Sequence, residues 1–253
     1  MTAGSGGSDQ HGSQAEPIDQ YVQLLSGTPA PNSGSIRAIL NQSFTNPRVF
    51  AGFAELGSIP AVAEALGKSE GGESALRTLD LFAFGTYGDY VKASEEGKGA
   101  YLALTDTQIH KLRQLTVVSL VQRTAAEAAA AAKGSQKSVR RRGRKGNAAA
   151  SPSPYGSCVV PYSAIRSELS LPPDSSLRDL EDLLISCMYA GLLVGRLDQR
   201  SMSLLVGPGS AHQPPCASRD VRADGDAVTI MIDALESFHR RGEEVELALG
   251  DAA

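Results

Sequence analysis

Ile36, Ile39, Leu40 and Phe44 recur at i, i+3, i+4 and i+8, the spacing of one apolar face of an α-helix. The first half of the chain repeats this texture in short segments. Ile18, Tyr21, Val22, Leu24 and Leu25 form an apolar face that Gly27 and Pro29 stop. Ser35 is expected to cap the next helix, and Asn46-Pro47 to end it and start another through Val49, Phe50, Phe53 and Leu56. Gly57 closes that segment, and a helix over 59–66 follows. Leu76, Leu79, Leu81, Phe82 and Phe84 mark a more apolar helix, then Gly85-Thr86-Tyr87-Gly88 reads as a turn and Asp89-Tyr90 as a helix re-entered. The strongest local signal is Thr105 with Gln108, a capping box flanked by a staple of Leu104 and Ile109. The helix it starts carries Leu112, Leu115, Thr116 and Leu120 to about Arg123. Short helices with brief connectors predict stacked helix pairs, without a strict repeat.

The pattern then changes. Residues 124–157 run from Ala-rich to basic to Ser and Pro, with no acidic residue between Glu127 and Glu168. This composition predicts an irregular loop. Residues 158–160 read as a short strand, and Pro161 suits the start of a helix through Ile165 and Leu169, which Pro172-Pro173 stops. An amphipathic helix over 175–190 follows, broken by Gly191 and Gly195. Leu197, a polar turn and 203–206 then supply strand, turn and strand. Helix, strand, turn, strand at this spacing predicts a winged helix. After a second polar insert, 207–215, a helix over about 226–249 shows Val228, Met231, Ile232, Leu235 and Phe238, then Val245, Leu247 and Leu249. The expected organisation is a tail over 1–16, a helical part over 17–123, the basic insert 124–157, a winged helix over 158–223 and a C-terminal helix over 224–253. The fold class is therefore mainly α.

Composition narrows the function. A net charge of −4 gives the whole chain no attraction for a polyanion. Cys158, Cys187 and Cys216 are scattered and odd in number, which argues against a disulfide framework. The Gly- and Ser-rich residues 1–14 do not resemble a signal peptide, and no run nears the ~18 apolar residues of a membrane span. A soluble intracellular protein is expected. His11, His110, His212 and His239 stand far apart, and no zinc-hydrolase, nucleophile-elbow, phosphate-loop or dinucleotide motif occurs. No enzyme, metal or cofactor is expected. A DNA-binding winged helix needs Lys and Arg on its second main helix. Here Arg178 stands against Asp174, Asp179, Glu181 and Asp182, which disfavours duplex recognition. The run Arg140, Arg141, Arg142, Arg144 and Lys145 reads as a nuclear localisation signal, a weak nucleic-acid patch or a solvated insert.

Six segments in order carry a resemblance. They are 84–90 (FGTYGDY), 111–120 (KLRQLTVVSL), 160–163 (VPYS), 177–185 (LRDLEDLLI), 195–200 (GRLDQR) and Arg219-Asp220-Val221. Together they resemble subunit seven of the COP-nine signalosome, a family of PCI-domain proteins, from about residue 18 to 245. The resemblance implies a PCI domain, in which helical repeats are followed by a winged helix. It also implies a non-catalytic scaffold in the complex that removes Nedd8 from cullins, the catalytic zinc lying on another chain. The partners implied are other PCI subunits in a hetero-oligomer, in cytoplasm and nucleus, with no small-molecule substrate and no membrane. Subunit m of translation initiation factor three and the proteasome lid share much of the pattern and stay open as alternatives. The inserts 124–157 and 207–215 depart from the family.

Family members associate through winged-helix sheets and gather their C-terminal helices into a bundle. One expected interface is thus the wing, with Arg196 and Arg200 meeting protein carboxylates and Ser203, Leu204, Leu205 and Val206 offering an unpaired strand edge. The other is the stripe Val228, Met231, Ile232, Leu235 and Phe238, whose alternative is to fold back on its own winged helix.

Overall fold

The structure is a computed structural model that describes residues 17–27, 32–97, 99–139, 158–172, 175–207 and 216–222, together with 228, 229, 232, 235, 236, 239 and 240. Among these the order is α1 (Asp19–Gly27), α2 (Ser33–Thr45), α3 (Phe53–Ser58), α4 (Pro60–Gly67), α5 (Gly72–Phe84), α6 (Tyr87–Glu95), α7 (Asp106–Val139), β1 (Cys158–Pro161), α8 (Tyr162–Glu168), α9 (Leu177–Tyr189), β2 (Gly195–Asp198) and β3 (Ser203–Val206). The chain is mainly helical, as expected.

Two apolar cores divide these elements, and α7 belongs to both. Helices α1 to α5 bury Leu25, Ile36, Leu40, Leu56 and Leu66 around the rings of Phe44, Phe53 and Phe82. Phe44 and Phe82 stack at 4.5 Å between centroids, and Phe53 tilts against both. Leu112 and Leu115 of α7 complete this core. One turn on, Val117, Val118, Leu120 and Val121 enter the second core, with Val160, Ile165, Leu180, Leu184, Leu204 and Val206. The run of four apolar residues in five positions gives α7 buried surface on more than one side, so it can serve both halves.

Local chemistry sets the helix ends, and four expectations change. The predicted capping box is present: the Thr105 amide donates to Gln108 Oε1 at 3.0 Å and the Gln108 amide to Thr105 Oγ1 at 3.4 Å. The helix it starts does not stop at Arg123 but continues to Val139. Ala125 to Ala132 is dominated by the best helix former, and no proline intervenes, so 124–139 propagates the helix instead of forming a loop. Asn32, not Ser35, caps α2, its side chain accepting from the Gly34 amide. No helix starts at Pro47: residues 46–52 are irregular, and α3 begins only after Gly52, which sits at φ 86°. The expected turn over 85–88 is shorter, because Thr86 and Asp89 form a second capping box that starts α6 at Tyr87.

Lys111 is 4% exposed and ties α7 to the end of α2. Its Nζ donates to the carbonyls of Ser43 at 2.8 Å and Asn46 at 2.9 Å, and lies over the rings of Phe50 and Phe53. Burial pushes the Lys111 ammonium down to about 7.

A candidate docking surface at the sheet edge

The sheet is three-stranded and antiparallel, in the order β1-β3-β2. β3 is therefore the central strand, and this corrects the expectation that Ser203, Leu204, Leu205 and Val206 form an open edge. Leu204 pairs with Val160 on one side and Leu197 on the other, and Leu205 pairs with Val159 and Arg196. Ser203, Leu204 and Val206 are buried. A strand of four residues after a hairpin reads as an edge in sequence. Here residues 158–161, contributed from before two helices, return to cover it.

Among the described residues β1 and β2 are the two edges of the sheet, and alternation tells which groups they offer. The Gly207 amide donates to the Val194 carbonyl at 3.0 Å, which sets the phase of the β2–β3 ladder. Arg196 and Asp198 then turn their backbone groups to β3, while those of Gly195 and Leu197 face away from it. The Tyr162 amide donates to the Met202 carbonyl at 2.9 Å and sets the phase on the other side. There Val159 and Pro161 face outward, and Pro161 has no N–H to give. β2 is thus the better template for an added strand.

Side chains beside this edge are mixed in character. Val159, Leu205 and Arg196 share the row across the outer face, and Val159 is 56% exposed. A groove of about 520 Å³ runs along this row. The β2–β3 turn is held from within. Asp198 accepts from the Arg200 and Ser201 amides and from Ser201 Oγ at 2.8 Å, and those bonds to Ser201 hold its carboxyl below the usual range. Gln199 Nε2 donates to Glu181 of α9 at 2.9 Å, and the Tyr162 hydroxyl donates to the other oxygen of Glu181. Arg196 and Arg200 stay exposed beside these groups. On α9, Arg178, Asp179 and Asp182 are exposed, so its outer face carries the acidic character expected of it. Phosphate would meet repulsion there.

Of the second expected interface, Val228, Ile232 and Leu235 are helical. Ile232 is 49% and Leu235 66% exposed, and Val228 is half-buried. Met231 and Phe238 lie outside the described residues, as do Arg140, Arg141, Arg142, Arg144 and Lys145. Among the described residues no three His, Cys, Asp or Glu side chains gather as around a metal ion, and no helix is long and apolar enough to cross a membrane. Burial pushes the Cys187 thiol up to about 12 and raises Cys158 as well, as expected for packing thiols and not nucleophiles.

The chain is 32% identical over 239 residues to COP9 signalosome complex subunit 7 of Arabidopsis thaliana, covering 94% of this chain and 71% of that protein. It belongs to the COP9 signalosome subunit 7 family. It is also 29% identical over 184 residues to subunit 7a of Mus musculus and 30% identical over 178 residues to subunit 7 of Drosophila melanogaster. It covers 51% and 48% of those two subunit 7 proteins, about half their length. No protein-family profile matches the chain.

One feature of the fold is not legible in the sequence. Residues 216–222 run as a strap from the sheet to the helical half. The Ala217 amide donates to the Leu192 carbonyl and its own carbonyl accepts from Gln122 of α7, both at 2.8 Å. Arg219 then reaches α5 and α7, and Asp220 reaches α3. Arg219-Asp220-Val221 was visible as a motif, but nothing in three residues indicates contacts with positions 100 to 168 residues earlier.

Proposed function

We propose that this chain is a non-catalytic scaffold subunit of a signalosome, the complex that removes Nedd8 from the cullins of cullin-RING ubiquitin ligases. In this reading β1, α8, α9 and the β2–β3 hairpin form the winged-helix half of a PCI domain, and α1 to α7 the helical-repeat half. The partners are other PCI subunits, and the complex works in cytoplasm and nucleus. The outward row of Gly195 and Leu197 on β2, beside the apolar row of Val159 and Leu205, carries the proposal. An edge strand offers unpaired N–H and C=O groups that a neighbour's strand satisfies, and the adjoining groove gives that strand side-chain contacts. Arg196 and Arg200 supply charge at its rim for partner carboxylates. The interface assigned here to 203–206 thereby moves to β2, with β3 as its support. Exposed Ile232 and Leu235, with half-buried Val228, support a second contact through a bundle of C-terminal helices.

The test is capture of the tagged full chain from cells that express it, with partners identified by mass spectrometry. Other signalosome subunits are expected. Recovery of proteasome-lid or initiation-factor subunits in their place would overturn the assignment. In the same assay, Arg196→Glu combined with Leu205→Glu should weaken capture by about tenfold or more while the chain stays folded.

A further inference from the structure

We infer that the outer stripe of α9 is a docking surface in its own right, and that it takes an amphipathic helix of a partner protein carrying a Lys or Arg about two turns from an apolar residue on the same face. The surface is not the β2 edge, and the inference does not rest on the scaffold reading.

Arg178, Asp182, Ile185 and Tyr189 follow one another at i, i+4, i+7 and i+11, so they form one stripe along α9, and all four are exposed. The stripe changes character along its length. Its C-terminal part is apolar: Ile185 is 36% exposed and Tyr189 90%. The core side of α9 is filled by Leu180, Leu184 and Cys187. Tyr189 is therefore not needed there and keeps almost its whole ring in water. A large aromatic ring of this kind is the side chain that protein interfaces favour as an anchor.

The N-terminal part of the stripe offers acceptors. Asp179 and Asp182 line a cavity of about 320 Å³, which His110 and Arg113 of α7 also line. The nearby cations are engaged elsewhere or held loosely. The Arg113 guanidinium lies over the Tyr87 ring at 4.5 Å and donates to the Tyr87 hydroxyl at 3.0 Å. Arg178 comes no closer to Asp182 than 3.9 Å, with both side chains largely in water, and such a pair contributes little. Among the described residues Asp179 has no ion-pair partner.

His110 adds a further acceptor. The Ser186 hydroxyl gives its one proton to the Leu183 carbonyl at 2.6 Å, so it accepts from Gln114 Nε2 at 3.0 Å and from His110 Nε2 at 3.2 Å. The His110 proton therefore sits on Nε2. Burial, and after it the Arg113 charge, holds the imidazole below its usual range, so the ring is neutral and Nδ1 keeps its lone pair. Leu171 and Leu183 line the same cavity. Apolar walls beside carboxylates suit the methylene stem and cationic head of a Lys or Arg, and they disfavour an acidic side chain. Asp182 and Tyr189 are seven residues apart, about 10 Å along the helix axis. A helix laid along α9 with its cation at Asp182 brings a residue seven positions away to Tyr189. One partner element thus covers both parts of the stripe.

The test uses the full-length chain with Tyr189 replaced by photoreactive benzoylphenylalanine, irradiated in cells, the crosslinked peptide being sequenced by mass spectrometry. The expected product joins position 189 to a protein segment that carries Lys or Arg about seven residues from the crosslinked site. Adding Asp179→Lys and Asp182→Lys should reduce that crosslink by about tenfold. Changing the partner's cation to Glu should then restore it, which a misfolded chain would not do. No crosslink, a crosslink to nucleic acid or to a segment without a cation at that spacing, a crosslink that the two lysines leave unchanged, or one that the partner's Glu does not restore each overturns the inference. Whether the crosslinked protein is a signalosome subunit bears on the scaffold reading alone.

Discussion

Lys111 shows how a single side chain can serve packing and carry a pH signature. Its ammonium caps the end of α2, and two aromatic faces lie beneath it. Truncation in Lys111→Met leaves the Ser43 and Asn46 carbonyls without this donor and should cost about 2 kcal/mol in denaturant unfolding at neutral pH. The folded-state value lies near 7 and the unfolded one near 10.5. Between these limits the unfolded chain holds a proton that the folded chain has released. Stability from this group therefore rises with pH from about 7 to 10 and is level outside that window. The Lys111→Met chain should lose that slope, which unfolding curves at pH 7 and pH 9.5 would reveal. Nothing in the sequence marked Lys111 as buried, since a lysine on an amphipathic helix ordinarily faces water. Thr105 was legible because its partner stands three residues away. Thr86 and Asp89 have the same spacing, but Gly88 between them read as a turn. Thr86→Ala should lower stability by about 1 kcal/mol.

At the level of elements, the helices followed from periodicity and the strand order did not. Apolar spacing located α2, α5 and α9 to within a few residues, because each buries one face and keeps the other in water. Pairing is non-local. That Cys158–Pro161 would lie against Ser203–Val206, across α8 and α9, is not encoded in either tetrapeptide. The consequence can be measured. Leu204→Ala on the central strand removes a fully buried side chain and should cost about 2–4 kcal/mol. Val159→Thr on the outer face of β1 should cost less than about 0.5 kcal/mol, because that side chain is half in water. Equal costs would contradict the order β1-β3-β2. The end of α7 differs from the expectation for another reason: low complexity does not imply irregularity where a run of alanines lowers the cost of continuing a helix already begun.

For the whole molecule, the described cores draw on no residue beyond Ala217, and the strap closes at Arg222. Removing 224–253 should thus leave a cooperatively folded protein with a little-changed melting temperature, while capture of partner subunits falls away. Loss of folding in that truncation would show that the terminal helix belongs to the core. Apolar spacing conveyed a helical stretch ahead of the strands. It did not convey that one helix and one strap hold them together. The double membership of α7 also bears on synthesis. When the ribosome has released about 140 residues, the first core can close around Leu112 and Leu115, but Val117, Val118 and Val121 meet their packing partners only as β1, α8 and α9 emerge. The nascent chain therefore carries a sticky stripe for the time taken to translate about 50 further codons. Its yield in a cell should depend on chaperone supply during that interval more than on the stability of the finished fold.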